Sequence, residues 1–344
     1  MSNSRDIRGI QLPMLDGTPM PAVLPDDEVK ALQNQIRELA AAKNAVILAH
    51  NYELPEVQDV ADFVGDSLGL AREGAKCEQE NIIFCGVHFM AETASILSPQ
   101  KRVLIPDLNA GCSLADSITA PQLREWKAQH PGAIVVMYVN TTAEVKAETD
   151  WCVTSSNAVA VVNRILEEHG SDQEILFGPD MFLGAFVERE IGRGMHVWDG
   201  ECHVHAGIKP SDIDQVRGEN PGAEFLVHPE CGCTTQVLEY VAAGDIESEG
   251  VSILSTGGML DYVRANPGGT KIIATETGML HPLQMADPTA TLIPANRMAA
   301  CKYMKMITLP KVRDALLEDQ FEVKVSDSIA ELARVPIERM VSVG

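Results

Sequence analysis

From Ala45 onward the chain alternates short apolar runs with amphipathic stretches. The runs are Ala45–Ala49, Asn81–Cys85, Lys101–Ile105, Ala133–Met137, Trp151–Val153, Glu174–Phe177, Met195–Val197, Ala223–Val227, Val251–Leu254, Lys271–Ala274 and Thr291–Ile293. Several are rich in Val and Ile and nearly uninterrupted, as strands covered on both faces should be. Segments with helical spacing lie between them, such as Asn157–Glu168 and Thr234–Ala243. Repeated β–α alternation predicts an α/β fold of parallel sheets flanked by helices. Asp26–Lys43 reads as a helix before the first run, and Ser326–Arg334 as one after the last. The first 25 residues contain Pro13, Pro19, Pro21 and Pro25 with little periodicity and read as a surface arm.

A repeat runs through this pattern. Three strands end in polar residues: His50-Asn51-Tyr52, Tyr138-Val139-Asn140 and His228-Pro229-Glu230. Tyr138 follows His50 by 88 positions and precedes His228 by 90. Each unit then carries a hydroxyl cluster ahead of a helix, at Asp66-Ser67, Thr154-Ser155-Ser156 and Ser255-Thr256. Each closes on a cysteine, Cys112, Cys202 or Cys301, with an extra stretch around Gly244–Gly250 in the third unit. Three related units imply three similar domains. The expected division is an N-terminal arm and helix over 1–44, domains over 45–118, 119–206 and 207–309, and a tail over 310–344 that packs back.

Composition narrows what such a fold can do. The 344 residues are 45% hydrophobic, enough for a large core, and no apolar run approaches a membrane span. The net charge of −22 argues against nucleic acid or anionic membrane as partner. It leaves room for small anions held by local hydrogen-bond donors. The opening MSNSRDIRGI lacks a basic segment followed by an apolar one, so export is not signalled and a cytoplasmic location is expected. In that reducing setting eight cysteines do not imply disulfides.

The strand-end residues are the first candidates for chemistry, because ligands of open parallel sheets collect beyond the carboxyl ends of strands. His228 and Glu230, held apart by Pro229, can act as general acid or base. Ser and Thr at helix N-caps suit carboxylate or phosphate. One cysteine closing each of three units predicts a trio of thiolates. Three thiolates without a fourth fit a [4Fe–4S] cluster with one open iron better than structural zinc, which takes four ligands. Two local zinc readings compete: Cys231-Gly232-Cys233, and Cys202 with His203 and His205 as a hydrolase site. A non-enzymatic iron–sulfur sensor is a further alternative. Cys77, Cys85 and Cys152 read as packing residues.

Taken together, these stretches resemble the quinolinate synthase family of iron–sulfur enzymes in NAD biosynthesis. The matching segments are Ala49-His50-Asn51-Tyr52, Ala61 to Leu68, Ala110-Gly111-Cys112, Tyr138 to Thr141, Thr154 to Ala158, His228 to Cys231, Ser255 to Met259 and Cys301 to Lys305. The resemblance implies three α-β-α sandwich domains around a pseudo-threefold axis, with cluster and active site between them. It implies condensation of iminoaspartate with dihydroxyacetone phosphate to quinolinate, with loss of phosphate and two waters. It implies a functional link to L-aspartate oxidase. Cys112, Cys202 and Cys301 match the cluster ligands. His50, Ser67, Tyr138, Asn140, Ser155, His228, Glu230 and Thr256 match substrate-contacting positions, and Tyr52 matches a tyrosine implicated in the chemistry. Glu230, His228, Tyr52 and His50 are the expected catalytic set. Some relatives carry a Cys-x-x-Cys-x-x-Cys run at the third ligand. Here only Cys301 stands there, so a regulatory disulfide of that kind is unsupported.

Overall fold

The computed structural model describes residues 13–234 and 250–343. The expected helix beyond Thr234, and Gly244–Gly250 apart from Gly250, lie outside them. Twelve strands are present among the described residues. The first four are β1 (Ala45–His50), β2 (Phe63–Gly65), β3 (Asn81–Cys85) and β4 (Arg102–Leu104). The next are β5 (Ile134–Tyr138), β6 (Trp151–Val153), β7 (Ile175–Gly178) and β8 (His196–Val197). The last are β9 (Glu224–Val227), β10 (Val251–Ile253), β11 (Thr270–Ala274) and β12 (Thr291–Pro294). They form three four-stranded sheets ordered β2-β1-β3-β4, β6-β5-β7-β8 and β10-β9-β11-β12, with parallel pairing throughout. The same permutation recurs three times, interleaved with helices, as the repeat and the α/β reading require.

Every apolar run becomes a strand within one residue at either end. β2 has no counterpart among them. It is three residues long and lies at a sheet edge, and Phe63 and Val64 are exposed, so no buried alternation marks it. β1, by contrast, is buried along its whole length. The third sheet shows how both faces are covered. Phe225 and Val227 of β9 belong to a core with Ile208 and Ile213, whereas Leu226 between them joins the larger core shared with the first two sheets. Successive side chains of a strand point to opposite faces, so one strand serves two cores.

The described part of the expected surface arm, residues 13–25, is irregular and all but Met14 is exposed or half-buried, yet it is anchored to the body of the protein. Met14 is buried, the Leu15 amide donates to the Met298 carbonyl at 2.9 Å, and Asp16 pairs with Lys302 at 2.9 Å. An apolar side chain and an ion pair dock this segment beside Cys301. The last helix is also longer than expected, spanning Asp327–Val341 through Pro336. Pro336 lies in the buried stripe of Ala330, Ala333, Ile337 and Met340, so packing offsets its missing backbone bond. This helix packs on Ser67–Lys76 and His88–Leu97 of the first unit and on Ala143–Lys146 and β6 of the second. No helix among the described residues is long and apolar enough to cross a membrane.

Candidate active site

In each sheet the leading strand, β1, β5 or β9, is central, and the chain passes first to one side of it and then to the other. The carboxyl end of such a strand is a topological switch point, where the connections part and leave a crevice. His50 ends β1, Tyr138 ends β5 and His228 follows β9. His50 pairs with Gly65 and Tyr138 with Val153, and His228 falls opposite Leu254, one step beyond Val227↔Ile253. Two residues further on stand Ser67, Ser155 and Thr256, so the three hydroxyls occupy one equivalent position. All twelve predicted site residues line a single cavity: the three cysteines, His50, Tyr52, Ser67, Tyr138, Asn140, Ser155, His228, Glu230 and Thr256.

The expectation of a hydroxyl N-cap in each cluster holds in the third unit, at Ser255, and needs correction in the first two. The N-caps are Asp66, Asn157 and Ser255. Asp66 accepts from the Gly69 amide at 2.7 Å and Ser255 from Gly258 at 3.2 Å. Ser67 and Thr256, one residue inside their helices, line the cavity with hydroxyls not used for capping, and the capping Asp66 lines it beside Ser67. Asn140 adds a buried Oδ1 with no hydrogen-bond partner among the described residues. A buried acceptor left open in this way suits a ligand that donates to it.

The cysteines share a local turn as well as a cavity. The Cys112 carbonyl accepts from the Asp116 amide at 3.1 Å, Cys202 from Ala206 at 2.9 Å, and Cys301 from Lys305 at 3.0 Å. Burial pushes the Cys112 thiol well up, and the neighbouring Cys202 and Cys301 add to this, while the Ala115 and Leu114 amides pull the other way. Cys301 is pushed up to about 12 by burial, with the Cys202 and Glu276 charges adding and the Met304 and Tyr303 amides opposing. Three mutually repelling thiolates therefore need a cation, and backbone N–H groups already point at two of the sulfurs. This donor set fits an iron–sulfur cluster held by three protein thiolates. Cys231 and Cys233, their Cα atoms 5.2 Å apart, are joined by a disulfide, so the expectation of free thiols holds for the other six only. The bond also removes both sulfurs from any zinc reading.

Beside the thiols lies a buried acid–base network. Tyr138 Oη donates to Glu230 Oε1, and His205 Nδ1 lies 3.2 Å from Glu230 Oε2. His205 Nε2 is 3.0 Å from Thr275 Oγ1 and 3.3 Å from Tyr52 Oη, which in turn is 2.7 Å from Thr275 Oγ1. The His205 and His228 rings stack at 4.9 Å. Burial raises Glu230, but His205, His228 and the Tyr138 hydroxyl outweigh it and hold the carboxyl at about 2. Burial alone dominates at His50 and His228, which are depressed to about 3 despite the Glu230 charge. Tyr52 and Tyr138 are pushed up, chiefly by burial.

The two neutral histidines are oriented alike. The Tyr52 amide donates to His50 Nδ1 at 3.2 Å, and the Glu230 amide donates to His228 Nδ1 at 3.4 Å. A ring nitrogen that accepts carries no proton, so in both rings the proton sits on Nε2. His228 Nε2 accordingly donates to Ser155 Oγ at 3.3 Å.

Sequence reasoning undervalued His205, which entered only as a zinc candidate. Cys202, His205 and Glu230 do bring ligand atoms within 4.8 Å of one another. His203 is absent from that set and instead meets Ser113 Oγ at 2.6 Å, so the hydrolase trio is not assembled. Asp66, Ser113, Glu276 and Tyr303 also line the cavity, although none is among the expected site residues. The spacing of His205, three residues after Cys202, was the available signal. Its partners Tyr52, Thr275 and Glu230 are far off in sequence and gave none.

Three parallel sheets that pool thiols, imidazoles, phenols and a carboxylate in one largely buried cavity define an α/β enzyme. The chain belongs to the quinolinate synthetase A family, whose model, "Quinolinate synthetase A protein", matches residues 34–342. It is 55% identical over 324 residues, 94% of each chain, to a quinolinate synthase of Mycobacterium sp. (strain KMS). It is also 55% identical over 312 residues, 90% of this chain and 88% of the other, to a quinolinate synthase of Mycobacterium tuberculosis (strain ATCC 25618 / H37Rv). The family resemblance read from the motifs is thereby borne out.

Proposed function

We propose that the protein is a quinolinate synthase of NAD biosynthesis. It condenses iminoaspartate with dihydroxyacetone phosphate to quinolinate, phosphate and two waters, with a [4Fe–4S] cluster held by Cys112, Cys202 and Cys301. The observation that carries this reading is the meeting of those thiols with the strand-end groups of all three units in one cavity. When bound, the cluster supplies a Lewis-acidic iron with one position open to substrate.

The chain's own groups divide the remaining work. Both substrates are anionic, while the molecule as a whole is strongly negative, so binding falls to local donors. Ser67, Ser155 and Thr256 offer hydroxyls beside helix N-termini. His50 and His228 offer neutral Nε2–H groups to carboxylate or phosphate. Tyr138 and Asn140 orient the substrate carboxylates. Glu230 is the ionised acceptor for proton transfer, kept charged by His205 and reached through the Tyr138 hydroxyl. Tyr52 supplies a proton whose loss is disfavoured in the resting site.

Protein purified without oxygen should contain iron and sulfide and form quinolinate from the two substrates. Stoichiometric zinc in place of iron, with no quinolinate formed, would reject the reading. The iminoaspartate source is expected to be L-aspartate oxidase. Addition of that enzyme with aspartate, in place of iminoaspartate, should sustain product formation.

A further inference from the structure

At the amino end of the second sheet, away from the cavity, three metal-ligating side chains meet. His130 ends the helix Ala120–Gln129, Glu174 immediately precedes β7, and His196 opens β8. Their ligand atoms all lie within 4.8 Å of one another. Glu174 Oε2 is 4.0 Å from His130 Nδ1 and 4.0 Å from His196 Nε2. The imidazole rings are 4.0 Å apart between centroids and inclined by 41°. Zinc bonds to N and O of roughly 2.0–2.1 Å place neighbouring tetrahedral ligand atoms about 3.3 Å apart. Closing from 4.0 Å requires less than an ångström of movement from side chains that are 24–56% exposed.

The backbone beneath them is fixed. The Ala133 amide donates to the His130 carbonyl at 3.1 Å, and the Ile134 amide to the Glu174 carbonyl at 2.9 Å. His196 pairs in register with Leu176 of β7. The fold itself does not demand this trio. With the repeats aligned on His50, Tyr138 and His228, the first unit carries Ala42, Asn81 and Leu104 at these positions, and the third carries Asn220, Thr270 and Ile293. Only the middle unit combines two imidazoles and a carboxylate there.

We propose that His130, Glu174 and His196 form a binding site for a borderline divalent cation of the zinc class, with water completing the coordination. Two imidazole nitrogens select zinc, nickel or cobalt over magnesium or calcium, which prefer oxygen. The charge of −22 concentrates cations near the surface. The ion ties the two-residue edge strand β8 to β7 and to the preceding helix end. Because only the folded chain assembles the site, binding stabilises that state.

The test is calorimetric titration with zinc chloride of the full-length protein, its thiol centre already loaded and loose metal removed. Wild type should take up one saturable equivalent. H130N and H196L should each weaken uptake by at least ~10-fold, since each loses a ligand, more than the loss of an outer-shell partner. Both variants borrow the residue of a sister unit, so the fold should survive, and turnover without added zinc should be unchanged. Zinc should raise the unfolding temperature of wild type but not of H130N/H196L. Absence of a saturable equivalent in wild type, or equal affinity in wild type and both variants, would overturn the proposal.

Discussion

The two ends of the three sheets have diverged in different ways. At the carboxyl ends the residues differ between units, with His50, Tyr138 and His228 in one equivalent position, yet all face one cavity. At the amino ends each unit stands alone. The first has the apolar pair Val46 and Ile82, and the second has Ile134 and Ile175 at the same register. The third replaces that pair with Glu224 and Lys271, ion-paired at 2.9 Å with Lys271 almost fully buried. Only the second carries the His130–Glu174–His196 trio. Where repeats converge, each residue's neighbours come from the other units, and specialisation serves a shared site. Where they diverge, each unit changes by itself.

The largest test of this contrast lies among the thiols. Cys112→Ser, Cys202→Ser and Cys301→Ser should each abolish the intact cluster, whereas Cys233→Ser, outside the trio, should retain it. Iron and sulfide analysis of the four proteins decides, and equal content in all of them would break the assignment. Next, Glu230→Gln should keep the cluster and lower kcat by roughly 10²–10⁴-fold, the usual range for a lost acid–base group. Unchanged turnover would remove Glu230 from proton transfer.

A third effect is on stability. His50 and His228 are depressed to about 3, below the ordinary value of 6.5 for the unfolded chain. Their contribution is complete above pH 6.5 and is lost as pH falls towards 3, because the unfolded state gains protons first. Between pH 8 and pH 5 the two together should cost wild type about 4 kcal/mol more than H50N/H228N. Urea unfolding at both pH values measures this, and equal losses would mean that the rings are already charged.

The smallest effect belongs to the amino ends. Glu224→Val should destabilise by roughly 1–3 kcal/mol, because the buried Lys271 loses its carboxylate and keeps only the Gly268 carbonyl. Glu224→Val with Lys271→Ile restores the apolar pairing of the other units and should lie within about 1 kcal/mol of wild type or above it. A double variant as unstable as the single one would show that the third sheet needs the ion pair.

Much of this was legible in the chain. The apolar runs marked eleven of the twelve described strands because eight of them are largely buried, and β8, β10 and β12, though only half-buried, keep the same apolar composition. β2 escaped because a short edge strand with exposed side chains carries no such mark. The twelve cavity residues were legible because the repeat puts chemistry at the same step of each unit. His205 was not, since its importance rests on Tyr52, Thr275 and Glu230, which only folding brings to it. The docking of Met14 and Asp16 beside Cys301 was hidden for the same reason.

By itself, then, the amino-acid sequence determined the α/β class, the threefold repetition and the kinds of groups at each strand end, because these are local properties of period and position. Tertiary structure decided the protonation and partnership of those groups. Glu230 is held ionised against burial, chiefly by His205 from another unit, and His50 and His228 are held neutral chiefly by burial. A dielectric environment and a neighbour distant in the chain exist only once the three sheets have met.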